Sequence, residues 1–192
     1  NLNFEIAQGD FVGLLGLNGS GKSTILKLAS KIYAPNLGNI NLFDKNPKVI
    51  IELGIGKKLD KISGYEVAKQ IILFSDPSIN NDQVRLNEKV NLISNFTELG
   101  TDFYKPIYTY STGMAARLYF SIALIDNYSL IIIDEILAVG DLYFVEKCMH
   151  YLIEIKQKPV TSIIASHNWD LLMKLCNKAM IIENKCTKRI GN

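Results

Sequence analysis

The chain has 192 residues, 48% of them hydrophobic and 21% charged, which fits one globular domain, with or without a subdomain inserted into it. That balance excludes a disordered chain. No heptad persists, and no apolar run approaches the roughly 20 residues needed to cross a bilayer. With 21 basic and 19 acidic residues the net charge is +2, too small an excess to argue for nucleic acid as a partner. Cys148, Cys176 and Cys186 are odd in number and lack C-x-x-C spacing, so they read as reduced thiols rather than a disulfide framework or a metal site.

In chain order, Leu2, Phe4 and Ile6 alternate with polar residues and predict a half-buried strand, followed by a turn at Gln8-Gly9-Asp10. Phe11 to Leu15 predicts a buried strand, Lys22 to about Ile32 a helix, and Gly38 to Phe43 another strand. From about Leu59 to Asn127 the pattern turns helical, over Gly64 to Phe74, Asn81 to Leu99 and Ser111 to Ile125. Strands are expected again at Leu130 to Asp134, Val160 to Ser166 and Ala179 to Glu183. The helices between them are Leu142 to Lys156 and Trp169 to Cys176, and Lys185, Lys188 and Arg189 fall in a loose tail. Strand–helix alternation at both ends around a helical block predicts an α/β parallel-sheet core, residues 1–58 and 128–192, with an inserted helical subdomain, residues 59–127.

Gly16-Leu17-Asn18-Gly19-Ser20-Gly21-Lys22-Ser23 matches the phosphate-binding loop G-x-x-x-x-G-K-[ST] between a strand and a helix. Glycines let the backbone wrap so that the N–H groups of Asn18, Gly19, Ser20 and Gly21 can turn toward phosphate oxygens. The helix N-terminus adds partial positive charge. Lys22 is expected on the β and γ phosphates, the Ser23 hydroxyl on Mg²⁺, and Thr24 on the α-phosphate. The nucleotide class is thereby a nucleoside triphosphate.

Leu130-Ile131-Ile132-Ile133-Asp134-Glu135 is an apolar strand ending in two acids. A parallel-sheet strand is buried on both faces and opens at its carboxyl end toward the ligand edge. Asp134 there suits Mg²⁺ held through water. Glu135, one residue on, suits polarisation of the water that attacks the γ-phosphate. Tyr110-Ser111-Thr112-Gly113-Met114 opens a helix, with Ser111 a good N-cap and the free N–H groups behind it a second anion site.

The order of these motifs resembles ABC-type ATPase domains over essentially the whole chain. Ser111-Thr112-Gly113-Met114 stands where that family has its signature, Gly140-Asp141 matches its D-loop, and His167 matches its switch histidine. Tyr110 to Met114, Arg117-Leu118, Leu137 to Asp141 and Glu52 to Gly56 are similar to the branch that exports teichoic acid, O-antigen and capsule.

The resemblance implies an ATPase that works as a head-to-tail homodimer. The P-loop of one copy and Ser111 and Gly113 of the other sandwich each ATP, with Mg²⁺. His167 contacts the γ-phosphate and holds the attacking water with Glu135; Met114, in place of Gln, offers no side-chain hydrogen bond. It also implies a separate integral-membrane permease and a peripheral position on the cytoplasmic face of the membrane. No Gln stands at the usual Q-loop place, and Glu52 is the candidate substitute. The adenine-stacking aromatic residue is expected upstream of Asn1, which makes the chain an expected fragment, and Phe4 and Phe11 are expected in the core. Tyr65, Phe74, Phe103, Tyr104, Tyr108 and Tyr110 are candidate contacts for the membrane partner. His150 lies outside every motif. A soluble ABC ATPase acting on DNA or ribosomes is disfavoured by the absence of long coiled coils, zinc sites and paired domains. A P-loop kinase is disfavoured by only three scattered arginines, Arg85, Arg117 and Arg189.

Overall fold

The structure, a computed structural model, describes residues 3–17, 19–42, 48–50, 59–124, 129–134, 142–166, 168–183 and 186–191, with 48–50 and 186–191 as backbone. The chain packs as two units. The first holds the described strands β1 (Phe11–Leu15), β2 (Lys48–Ile50), β3 (Leu130–Asp134), β4 (Thr161–Ala165), β5 (Lys178–Glu183) and β6 (Cys186–Gly191). With them are helices α1 (Lys22–Ala29), α5 (Leu142–Ile155) and α6 (Trp169–Leu175). The second holds helices α2 (Gly64–Ser75), α3 (Gln83–Thr97) and α4 (Thr112–Leu124), with 3₁₀ turns at Pro77–Asn81, Gly100–Tyr104 and Ile107–Thr109.

The strands form one sheet in the order β2-β3-β4-β1-β5-β6. All neighbours run parallel except β5 and β6, which pair antiparallel. The sheet is sandwiched, which explains why β1 and β3 read as unbroken apolar runs. On one face Val12, Leu14, Ile132, Ile163 and Met180 pack with Ile25, Leu26 and Ala29 of α1. On the other, a Cβ at Gly13 would meet Cys176 Sγ at 3.3 Å and Leu172 at 3.4 Å, so the end of α6 lies directly on β1. Burial pushes the Cys176 thiol up to about 12, which keeps it protonated and unreactive.

The edge of β1 away from the glycine-rich loop is pinned by Asp10. Its carboxylate, almost fully buried, accepts from Lys178 Nζ at 2.7 Å and from the Ala7 amide at 2.9 Å. Asn177 closes the same corner, accepting from the Phe11 amide at 2.8 Å and donating its own amide to the Phe11 carbonyl at 2.9 Å.

In the helical unit, Leu86, Val90, Ile93 and Thr97 recur at helical spacing on α3 and are buried. Leu86, Val90 and Ile93 share a core with Val67, Ala68 and Ile72 of α2 and with Leu118 and Ile122 of α4. Helix α2 starts at a complete capping box. Ser63 Oγ accepts from the Glu66 amide at 3.2 Å while Glu66 accepts from the Ser63 amide at 2.9 Å. Arg117 of α4 donates to the Thr97 carbonyl at 3.3 Å and lies 3.7 Å from Glu98, joining α4 to the negative end of α3.

Several expectations are corrected. Residues 3–7 carry no strand, and Phe4 is partly exposed rather than in the core, whereas Phe11 is fully buried. Gly38 to Leu42 is irregular, while a short strand appears later at Lys48–Ile50. Helix α1 stops at Ala29 because Lys31 turns left-handed (φ 59°), and the Tyr33 amide bonds back to the Lys27 carbonyl. Helix α3 begins at Gln83, after a separate 3₁₀ turn. Lys188 and Arg189 are not in a loose tail but in β6, so the sheet has an antiparallel edge. Phe103 is fully buried and offers no contact surface, whereas Phe74, Tyr104 and Tyr108 are exposed.

Candidate functional site

The glycine-rich loop leaves the carboxyl end of β1 and runs into α1, as its spacing predicts. Gly16 is required by close approach: a Cβ there would lie 2.6 Å from both the Ile182 carbonyl oxygen and Ser20 Oγ. Gly21 is required by conformation. It caps α1 at φ 108° in the left-handed region and supplies no side-chain acceptor. The first amides of α1 therefore have no cap to satisfy them, and no acid stands in the first turn. That leaves an uncompensated positive helix end facing the loop.

Lys22 reinforces it. Its Nζ arches back to donate to the Gly16 carbonyl at 2.7 Å and the Leu17 carbonyl at 3.2 Å. The Ser20 amide donates to the Leu17 carbonyl at 3.1 Å and tightens the loop, and Gly19 turns with φ 78°. Ser20 Oγ is buried with no hydrogen-bond partner. Ser23 and Thr24, on the first turn of α1, are exposed. The loop thus brings together amides, a helix terminus and an ammonium, a constellation suited to a polyphosphate.

Asp134 ends β3, and its side chain is buried. It stands opposite Ala165 of β4, which stands opposite Leu14 of β1. Three adjacent strands therefore deliver Asp134, the segment after β4 and the phosphate loop to the same sheet edge. At ~4.8 Å per strand, Asp134 lies about 10 Å along that edge from β1. Beyond β4, Ser166 Oγ accepts from the Asn168 amide at 3.1 Å, and Asn168 caps α6 by accepting from the Leu171 amide at 3.1 Å. Among the described residues no cluster of three or more His, Cys, Asp and Glu side chains could hold a metal by itself. Asn18, Glu52, Glu135, Asp141 and His167 lie outside the described residues. His150 is an exposed residue of α5.

Ser111 caps α4 as its position predicts, with Oγ accepting from the Met114 amide at 3.2 Å and its carbonyl accepting from the Ala115 amide at 3.0 Å. Ser111 and Thr112 are exposed, Gly113 is partly so, and Met114 leans on the hydrophobic core of the helical unit. The first turn of α4 carries no acid, so this helix end is also open to an anion. Sequence reasoning missed what supports it. Tyr110 Oη donates to the Asp102 carbonyl at 2.7 Å, and Arg117 ties α4 to α3. A tyrosine directly before a capping serine and an arginine inside an apolar helix were the available signals. Burial raises the Tyr110 hydroxyl, a backbone hydrogen bond with Gly64 works against the rise, and Asp102 adds to it. Tyr119 is pushed up to about 12, by burial first and then by Asp60 and Tyr110. Both phenols therefore stay protonated donors near neutral pH.

Residues 1–138 match the ABC transporter family model, and the chain belongs to that family. It is 32% identical over all its length to the teichoic acids export ATP-binding protein TagH of Bacillus anthracis, of which it covers 34%. It is 33% identical, again over all its length, to the O-antigen export system ATP-binding protein RfbB of Klebsiella pneumoniae, of which it covers 76%. The chain thus spans about a third of the first of these relatives. Its fold matches that of a dimeric ATP-binding cassette in a post-hydrolysis state bound to ADP and phosphate. The TM-score is 0.80 at 19% identity, covering 100% of this chain and 89% of that one.

Proposed function

We propose that the chain is the ATP-binding and ATP-hydrolysing part of an ABC exporter for a cell-surface polysaccharide of the teichoic acid, O-antigen or capsule type. The observation that carries the ATPase reading is the phosphate loop: a backbone that only glycine permits at position 16, an uncapped helix end, and the Lys22 ammonium turned onto the loop. The export reading draws on the similarity to the teichoic acid and O-antigen export proteins.

In this reading the amides of Asn18 to Gly21 and Lys22 hold the β and γ phosphates, and Thr24 bonds the α-phosphate. Ser23 and Asp134 supply hard oxygen donors, a set suited to Mg²⁺ because that ion keeps several of its waters. When bound, the ion neutralises charge on the phosphates. Glu135 polarises the attacking water and His167 holds it in line. Ser111, Thr112, Gly113 and Met114 close the site from a second copy, with Asp141 near the seam and Glu52 in the place of the Q-loop glutamine. Two copies meet head to tail and couple to a separate integral-membrane permease. None of the described helices is long and apolar enough to cross a membrane. In this reading the chain sits at the cytoplasmic face, held there by that partner.

The test is isolation of the full-length protein from membranes. One integral-membrane protein is expected to co-purify with it, and lipid-linked polysaccharide is expected to stimulate ATP hydrolysis by the reconstituted complex. Stimulation by a peptide, metal ion or amino acid instead would overturn the substrate class.

A further inference from the structure

We propose that Tyr110 is a positioning residue for the signature segment, holding Ser111 where it meets the nucleotide on the partner copy's phosphate loop. The inference rests on the shared-site reading proposed above, and it concerns a residue that reading leaves without a role.

The segment leading to Ser111 is fastened in two stages. Its first part is tied by backbone bonds: Ile107 N–H donates to the Ile62 carbonyl at 3.0 Å, and Tyr108 N–H to the Asp60 carbonyl at 2.9 Å. An isolated bridge pairs Ser63 with Pro106. The last of these bonds is made at Tyr108. Tyr110 itself is extended (φ −78°, ψ 144°), and its own amide bonds back only to Ile107, at 2.9 Å. The second fastening is the phenol. The Tyr110 hydroxyl donates to the Asp102 carbonyl at 2.7 Å, in the 3₁₀ turn that contains the fully buried Phe103.

The phenol fits there because position 64 has no side chain. A Cβ on Gly64 would lie 2.5 Å from Tyr110 Oη and 3.0 Å from the Phe103 carbonyl oxygen. Gly64 is the first residue of α2, where the Ser63–Glu66 capping box fixes the helix start. One ring thus joins the start of α2, the Gly100–Tyr104 turn and the residue next to Ser111. The one hydrogen bond described at Ser111 Oγ, from the Met114 amide, lies within its own helix start, so its placement depends on the backbone on either side. On one side that backbone is α4; on the other it is Tyr110. Removing the hydroxyl leaves the fold but loosens the approach to Ser111. The effect belongs to the site built with the partner and not to the phosphate loop of the same chain.

That distinction gives the test. Mixed dimers of the full-length protein are isolated through two different affinity tags, each with one phosphate loop disabled by Lys22→Ala. In the first arrangement Tyr110→Phe is on the Lys22→Ala chain and faces the working loop of a wild-type chain. ATP turnover should fall about threefold to tenfold, the size expected for one lost, partly buried hydrogen bond. In the second arrangement Tyr110→Phe is on the chain with the working loop, and turnover should match that of the dimer without it. Gly64→Ala, which fills the phenol's place, should show the same split. Equal losses in both arrangements, or no loss in either, overturn the inference. Ser111→Arg in the same two arrangements separates this from a failure of the shared-site reading. If Ser111→Arg splits and Tyr110→Phe does not, only the inference fails. If Ser111→Arg itself does not split, the shared site fails and takes the inference with it.

Discussion

The ammonium of Lys22 donates to the carbonyl oxygen of Gly16 at 2.7 Å, so the cation of the phosphate loop closes the loop onto its own first residue. A second bond, to the Leu17 carbonyl, shares the same ammonium. Both acceptors are neutral carbonyls, weaker partners for a cation than phosphate oxygens. Phosphate oxygens would offer the same ammonium stronger, charge-assisted bonds.

Lys22→Ala should therefore weaken ATP binding by about tenfold to a hundredfold or more, the size of one or two charge-assisted hydrogen bonds. Titration with a fluorescent ATP analogue measures it. An unchanged dissociation constant would contradict the phosphate-loop assignment.

Gly16→Ala should damage the same loop by a different route. The new methyl would meet a main-chain oxygen of Ile182 and Ser20 Oγ, both at 2.6 Å. The serine can turn away, but the β5 backbone cannot move without disturbing the sheet. A loss of about 1–3 kcal/mol in stability is expected, with weaker nucleotide binding. Chemical denaturation read beside nucleotide titration tests this, and a variant unchanged in both would show that the loop has more room than described.

Asp10→Asn probes the opposite end of β1. Burial raises the Asp10 carboxyl, but the bonds from Lys178 and the Ala7 amide, the Lys178 charge and Asn177 outweigh it and hold it below its usual value of 3.8. A group with a depressed folded pKa stabilises the fold above its unfolded value and loses that contribution as pH falls through the folded one. The wild type should therefore unfold at a higher temperature than Asp10→Asn at pH 7, by about 1–3 kcal/mol of stability, because the variant leaves Lys178 without its carboxylate. The gap should narrow as pH drops below about 4. A gap that stays constant from pH 7 to pH 3 would contradict the ion pair's role.

The parts of the fold legible in the sequence were those whose determinants are local. Phe11 to Leu15, the glycines at 16, 19 and 21 and the Lys22 helix start carry their own steric and hydrogen-bonding logic, so the strand, the loop and the start of the helix are legible to the residue. Ser111 was equally legible, since a capping serine needs only the amides three residues on. What escaped is set by pairing and packing rather than by the segment's own residue pattern. Ile40 and Leu42 alternate as in a strand, yet Gly38 to Leu42 stays irregular and Ile40 is partly exposed. Cys186–Gly191 is polar and reads as a tail, but its ladder is supplied by β5, 3 to 12 residues earlier in pairing register. Tyr110 and Gly64 are 46 residues apart, so neither reveals the other without the packed helical unit.

The most direct test of the central claim, that ATP closes two copies of this chain over shared sites, is sizing chromatography of the full-length Glu135→Gln variant with and without saturating ATP. ATP binding should persist, hydrolysis should fall by about a hundredfold or more, and the protein should elute as a dimer only when ATP is present. A variant that binds ATP yet stays monomeric, with turnover equal to the wild type, would contradict it.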